Sequence, residues 1–185
     1  MVSLRLMCIL LLASWHVQDR SPFPWSQERR LDWADFQGEP EFDKGFCAYT
    51  HYNVRTESSF FAKDSLTMEV LCTFHPAKSW FGAERCKNER LLAHEQLHFD
   101  IGECSARELR KTLSGTRPFE GAEKSFRSIG DSILSKWHDI QLRYDAETGH
   151  GTDSIPQERW NHFVDSTLKA TKDYAEPGFK VFLSP

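Results

Sequence analysis

The chain has no apolar run long enough to cross a bilayer, no dense block of lysine and arginine, no internal repeat and no low-complexity segment. Its apolar run Leu6-Met7-Cys8-Ile9-Leu10-Leu11-Leu12-Ala13 falls well short of the roughly 20 residues that a spanning helix needs. Stable membrane insertion is therefore not expected. With 23 Lys and Arg against 27 Asp and Glu, the net charge is -4, so neither nucleic acid nor an anionic membrane is an expected partner. Cysteine is scarce, 5 in 185 residues, and no pair is spaced Cys-x-x-Cys. That removes a cysteine zinc site and thioredoxin-like chemistry.

What is present is globular composition with an aromatic bias: 39% hydrophobic and 27% charged residues, with 14 Phe and 6 Trp. A chain of 185 residues suffices for one domain with a real core and is short for two. The domain is expected over residues 31–176 and as a monomer. Ahead of it, Arg5 and the short apolar run have the form of an export signal, about residues 1–20, with Ala13 and Ser14 as candidate cleavage positions. A buried N-terminal helix is the alternative. Removing the signal takes Cys8 with it and leaves Cys47, Cys72, Cys86 and Cys104. Four cysteines in a secreted or periplasmic protein predict two disulfides, with three pairings open.

The chemistry concentrates in Leu91 to Glu103, which contains His94-Glu95-Gln96-Leu97-His98. From about Asn88 to Leu113 there is no proline, and good helix formers dominate. Residues four apart on a helix share a face, so His94 and His98 can direct their imidazoles at one cation. Glu95, one position round, can hold a water there and take its proton. Two neutral histidines, a carboxylate base and an open position make the arrangement of a zinc metallopeptidase. A surface helix with two fortuitous histidines is the bland reading. Leu91, His94, His98, Gly102, Ser105 and Leu109 form one stripe, whose small residues allow another segment to approach closely.

Around this helix the chain reads as α+β. Leu31 to Pro40 packs Trp33 and Phe36 against a Gly/Pro turn, and Phe46 to Thr56 alternates as a strand. A second alternation, Leu66, Met68, Val70, Cys72 and Phe74, follows Lys63-Asp64-Ser65 and stops at Pro76, so the two are expected to form an antiparallel hairpin or meander. His51 and His75 lie on or beside these strands; assistance to a substrate on an edge strand is conceivable for them, solvation more ordinary. Beyond Gly115 and Pro118, Phe119, Ala122, Phe126, Ile129, Ile133, Trp137, Ile140 and Tyr144 recur at spacings of three and four, which predicts a core helix over about Phe119 to Tyr144. After the loop Asp145 to Gly151, a third helix is expected, with Ser154 as N-cap, Pro156 in its first turn, Gln157 at the capping-box position, and Trp160, Phe163, Val164, Leu168 and Thr171 inward. The tail after Pro177 carries no signal.

A catalytic zinc needs a third protein ligand. In the pattern HExxHxxGxxH that ligand would be at position 104, here Cys104, and the glycine position is Ile101, so that class is excluded. Glu103 points about 140° round the helix from His98 and suits a supporting or salt-bridge role. Glu120 and Glu123 lie at a distance where another zincin class places a ligand, and His138 sits beside the core stripe. His150, between Gly149 and Gly151, can bend close to a metal and is the best-placed candidate.

Taken together, Leu31-x-Trp33-x-Asp35-Phe36-x-Gly38-x-Pro40, the strand from Ala48 to Thr56, Ser79-Trp80, His94-Glu95-Gln96-x-His98-Phe99-Asp100-Ile101-x-Glu103 with Arg107, and Tyr144-Asp145-x-x-Thr148-x-His150-Gly151 carry a resemblance. The chain resembles a family of small bacterial exported proteins catalogued as domain of unknown function 922 and described as predicted secreted zinc-dependent proteases. The resemblance covers most of the chain after residue 30. It implies His94 and His98 as ligands, Glu95 as base and the Thr148-x-His150-Gly151 loop as part of the site.

The expected fold is a zincin-like α+β domain, a small and mostly antiparallel sheet followed by three helices, with the His-Glu-x-x-His motif on the first long one. Zn2+ would be held by His94, His98 and His150, with Glu103 and Asp145 supporting the ligands from behind. It would polarise the scissile carbonyl and acidify its water, Glu95 would move the proton to the leaving amine, and Tyr144 is the candidate oxyanion donor. The expected substrate is a peptide or protein. A non-catalytic exported zinc-binding module and a zinc amidase acting on the cell wall are the alternatives.

Overall fold

The computed structural model describes residues 20–41, 47–62, 65–116 and 122–182. The expected export run Leu6 to Ala13 with Cys8, and Glu120, lie outside these residues, as does the side chain of Glu123.

The fold is α+β: a small antiparallel sheet and three helices. Strict alternation builds its centre. In β4 (Ser65–Phe74), Leu66, Met68, Val70, Cys72 and Phe74 are buried while the residues between them are half-buried. β3 (Tyr52–Ala62) pairs with it from Tyr52↔Phe74 to Ala62↔Ser65, the expected hairpin. The other edge of β4 is covered in two pieces. β1 (Phe23–Pro24) pairs with Phe74 and Thr73, and β6 (Gly178–Phe182) pairs with Ser65 to Glu69. The stretch after Pro177, which carried no signal, thus contributes a strand. Between the two pieces, the Arg110 guanidinium donates from Nε and Nη2 to the Val70 carbonyl oxygen (2.9 and 2.8 Å). A side chain here does the work of a missing ladder rung.

The expected strand from Phe46 to Thr56 is two strands. β2 (Ala48–Tyr49) pairs with β5 (Trp80–Phe81) in a separate small sheet, and the chain crosses into β3 at Thr50 and His51. A Cys47–Cys86 disulfide ties β2 to the turn that precedes the first helix. Cys72 and Cys104 are buried free thiols, so one bridge forms where two were expected.

Helix α1 (Glu89–Ser114) starts where Asn88 accepts the Leu91 N–H (2.9 Å), as an N-cap should. It runs through the middle of the molecule, with the sheet on one side and α2 (Ala122–Thr148) and α3 (Ser154–Ala170) on the other. Gly102 is the point of closest approach. A Cβ there would stand 2.5 Å from the Tyr52 ring and 2.9 Å from Cys72 Sγ. Asp153, not Ser154, caps α3, accepting the Ile155 N–H (3.0 Å), and Phe163 is exposed instead of inward. No described helix is long and apolar enough to cross a membrane.

Candidate metal centre

One turn apart on α1, His94 and His98 face the C-terminal turns of α2, where Gln141, Tyr144 and Asp145 follow the same spacing. His94 Nε2 lies 3.2 Å from Asp145 Oδ1, His98 Nε2 lies 3.0 Å from the same oxygen, and the two nitrogens are 3.2 Å apart. The outer nitrogens face amide oxygens: His94 Nδ1 meets Gln157 Oε1 at 3.1 Å, and His98 Nδ1 meets Gln141 Oε1. A nitrogen facing an amide oxygen carries the proton, so each neutral imidazole keeps its Nε2 lone pair on the side of Asp145, and it is the doubly protonated ring that donates from Nε2 to the carboxylate.

Burial disfavours charge on His98, yet hydrogen bonding to Asp145 and the nearby Glu95 carboxylate leave its pKa raised. Burial alone would raise Asp145, but its bonds to His94 and His98 hold it far below the usual carboxylate range. Beside this cluster is a cavity of about 520 Å³, walled by Thr50, Tyr52, Leu91 and Leu142 and open to His51 and His138. Glu95 is buried at 3% exposure and lines the same cavity; its Oε2 has no hydrogen-bond partner among the described residues.

The pattern that defines the family described as bacterial protein of unknown function (DUF922) matches residues 16–151. The chain belongs to this family. No curated protein and no solved structure matches it. The DUF922 match takes in both histidines and Asp145 but ends before α3, so Gln157 comes from outside it.

Several expected roles fall differently in this DUF922 chain. The third converging donor is Asp145, expected only as a support. His150 stands next to it, Nδ1 3.4 Å from Asp145 Oδ1, with its side chain 54% exposed. Gly149, His150 and Gly151 all have positive φ (56°, 53° and 81°), a reversal that carries the chain off the helix end. Tyr144, proposed as an oxyanion donor, is 0% exposed: its ring stacks on His94 at 4.6 Å and its hydroxyl bonds the His94 carbonyl oxygen and Gln157 Oε1. It packs and orients, and burial pushes its pKa up.

Glu103 is remote from the cluster, in a buried network with Arg107 (2.9 Å) and Arg110 (2.8 Å). There it balances the guanidinium that fills the gap along β4. His51 and His75 meet edge to face at 5.4 Å; burial, then Lys78, lowers both pKa values. Gln141 was missed, and Gln157 was expected only in a capping box; its side chain turns instead to His94 and Asn161. The one signal for Gln141 was a polar residue set beside Ile140 in an apolar stripe.

Proposed function

We propose that the chain is an exported zinc-dependent metallopeptidase with a zincin-like arrangement, in which His94, His98 and Asp145 hold the ion and Glu95 is the general base. The observation that carries this reading is the convergence of His94 Nε2, His98 Nε2 and Asp145 Oδ1, 3.0 to 3.2 Å from one another, lone pairs inward. With both imidazoles in the Nδ1–H form, three such atoms repel unless a cation lies among them. Donors about 2.0–2.2 Å from a tetrahedral zinc stand about 3.3–3.6 Å apart, so the observed spacing is a few tenths of an ångström tighter. Two imidazoles and one carboxylate suit zinc, whereas calcium and magnesium take oxygen ligands.

Bound there, zinc would polarise a carbonyl and bring the pKa of a water down to about 7. Glu95 provides the proton acceptor: it lines the cavity, its buried Oε2 has no hydrogen-bond partner among the described residues, and its carboxylate can take a proton from water and return it to a leaving amine. A peptide substrate is supported by the strand that borders the cavity. Cys47 O accepts from Gly82 N–H, Tyr49 pairs with Trp80, and His51 N–H donates to Ser79 Oγ, all towards β5. Main-chain groups alternate along a strand, so those of Ala48 and Thr50 point to the opposite edge, where an extended chain can add. Export is supported by the Cys47–Cys86 bridge, a bond that cytosolic thiol buffers reduce.

A second reading, an exported metal-binding module without hydrolysis, draws on His150, which stands close enough to Asp145 to supply a fourth donor after a small movement. Four protein donors make a closed site. Metal analysis of the purified chain, with peptide-library cleavage by wild type and Glu95→Gln, separates the readings. The peptidase predicts one zinc in both proteins and turnover about 10² to 10⁴ lower in Glu95→Gln. Zinc without cleavage by wild type favours the module, and no zinc overturns both.

A further inference from the structure

Each of the two amides behind the imidazoles is held by partners of its own. On α2, the Gln141 side-chain nitrogen donates to the Tyr52 hydroxyl oxygen and to the His98 carbonyl oxygen, both at 2.8 Å. On α3, the Gln157 nitrogen donates to Asn161 Oδ1 at 3.0 Å. With both nitrogens engaged, each Oε1 is turned to an imidazole Nδ1. Both side chains are buried, at 9% and 6% exposure. Fixing a long polar side chain so deeply costs rotamer entropy, and neither glutamine extends the apolar core.

The choice of amide over carboxylate has a chemical consequence. A carboxylate at Nδ1 draws the proton towards itself, makes the imidazole more basic and adds a buried negative charge. An amide fixes the proton and leaves the ring neutral. Asp145 and Glu95 are then the two anionic groups that line the cavity, the number that balances one divalent ion.

We infer that Gln141 and Gln157 are positioning residues of the metal centre, locking His98 and His94 in the Nδ1–H form and aiming their Nε2 lone pairs at the point shared with Asp145. This rests on the metal-site reading given above. The two act from different helices, so each tests the idea independently.

The experiment is zinc affinity of the full chain by chelator competition, with the visible spectrum of the cobalt-substituted protein and the melting temperature of the metal-free protein. Gln157→Met, similar in shape but without an acceptor oxygen, is expected to weaken zinc binding about 10- to 100-fold and to shift the cobalt bands. Gln157→Glu keeps an acceptor, and Asn161 can turn its amide nitrogen towards it, so affinity should return to within a few-fold of wild type. Gln141→Met should repeat the loss from α2, which keeps the test alive if one variant fails to fold. Wild-type affinity in both Met variants overturns the inference and leaves the metal site standing. Equal weakening in Gln157→Met and Gln157→Glu also overturns it, since packing alone would then be at work. Failure of the wild-type chain to bind zinc or cobalt overturns the metal site and this inference together.

Discussion

Gly151 is where a single methyl group should be felt in both stability and metal binding. A Cβ there would meet His94 Cβ and Cγ at 2.9 Å each, well inside the 3.5–4.0 Å of an ordinary carbon contact. The ring has little room to retreat, because Tyr144 stacks on it at 4.6 Å and Gln157 holds its Nδ1. Gly151 also sits at φ 81°, where a side chain adds about 1–2 kcal/mol of strain. Overpacking adds about 1–3 kcal/mol, so Gly151→Ala should lose about 2–5 kcal/mol in all. For a chain of this size that is a fall in melting temperature of about 5–15 °C. If the His94 ring yields instead, the loss appears as weaker zinc binding. Two controls calibrate the result. Gly149→Ala meets the end of the exposed Thr152 side chain (2.7 Å) and should show the backbone strain with little else. Gly130→Ala, in α2 with nothing within 4 Å of its Cβ position, should gain about 0.4–1 kcal/mol. Thermal melts and chelator competition on the three variants decide it. A Gly151→Ala protein with both wild-type melting and wild-type zinc affinity would refute the account of how His94 is held.

Asp145→Asn should abolish tight zinc binding while His150→Ala leaves most of it, as read by isothermal titration; the reverse order would make His150 the third ligand. Arg110→Leu takes one of two guanidinium partners from buried Glu103, leaving Arg107, and uncovers the Val70 carbonyl, so urea unfolding should show a loss of about 3 kcal/mol. In protein from which the N-terminal run with Cys8 has been removed, Cys72 and Cys104 should resist thiol reagents, since burial pushes both thiols up; two groups should react after unfolding without reductant. Four reactive groups would remove the disulfide. Reducing Cys47–Cys86, which spans 39 residues, should lower stability by about 2–4 kcal/mol in the same urea assay.

Much of this molecule was legible in its residues, and the misses have identifiable causes. β4 was readable because one face is buried and one is not, which imposes strict alternation. α1 was readable from a proline-free run of good helix formers, and the Asn88 cap that starts it was not singled out. The break between β2 and β3 was not, since apolar alternation runs unbroken through Thr50 and His51 while the chain changes sheets. Asp145 was misplaced because α2 was expected to end at Tyr144. The helix continues to Thr148, and that extra turn puts Asp145 four residues after Gln141 on the face towards α1. The positive-φ reversal that follows then leaves His150 outside the cluster. Both differences in placement come from one boundary set four residues short, since end signals are weaker than periodicity.

The split covering of β4 ties together the far ends of the described chain. β1 comes from its beginning and β6 from its end, and Arg110 from the central helix closes the seam between them. Contacts so distant in sequence form late and slowly, after most of the loop entropy has been overcome. Until β6 docks, the half of β4 from Ser65 to Glu69 is a bare edge flanked by apolar side chains, able to pair with the same edge of another molecule. The last strand therefore acts as a gatekeeper against self-association. Shortening the chain before Gly178 should leave His94, His98 and Asp145 in place and yet make the protein aggregate during folding.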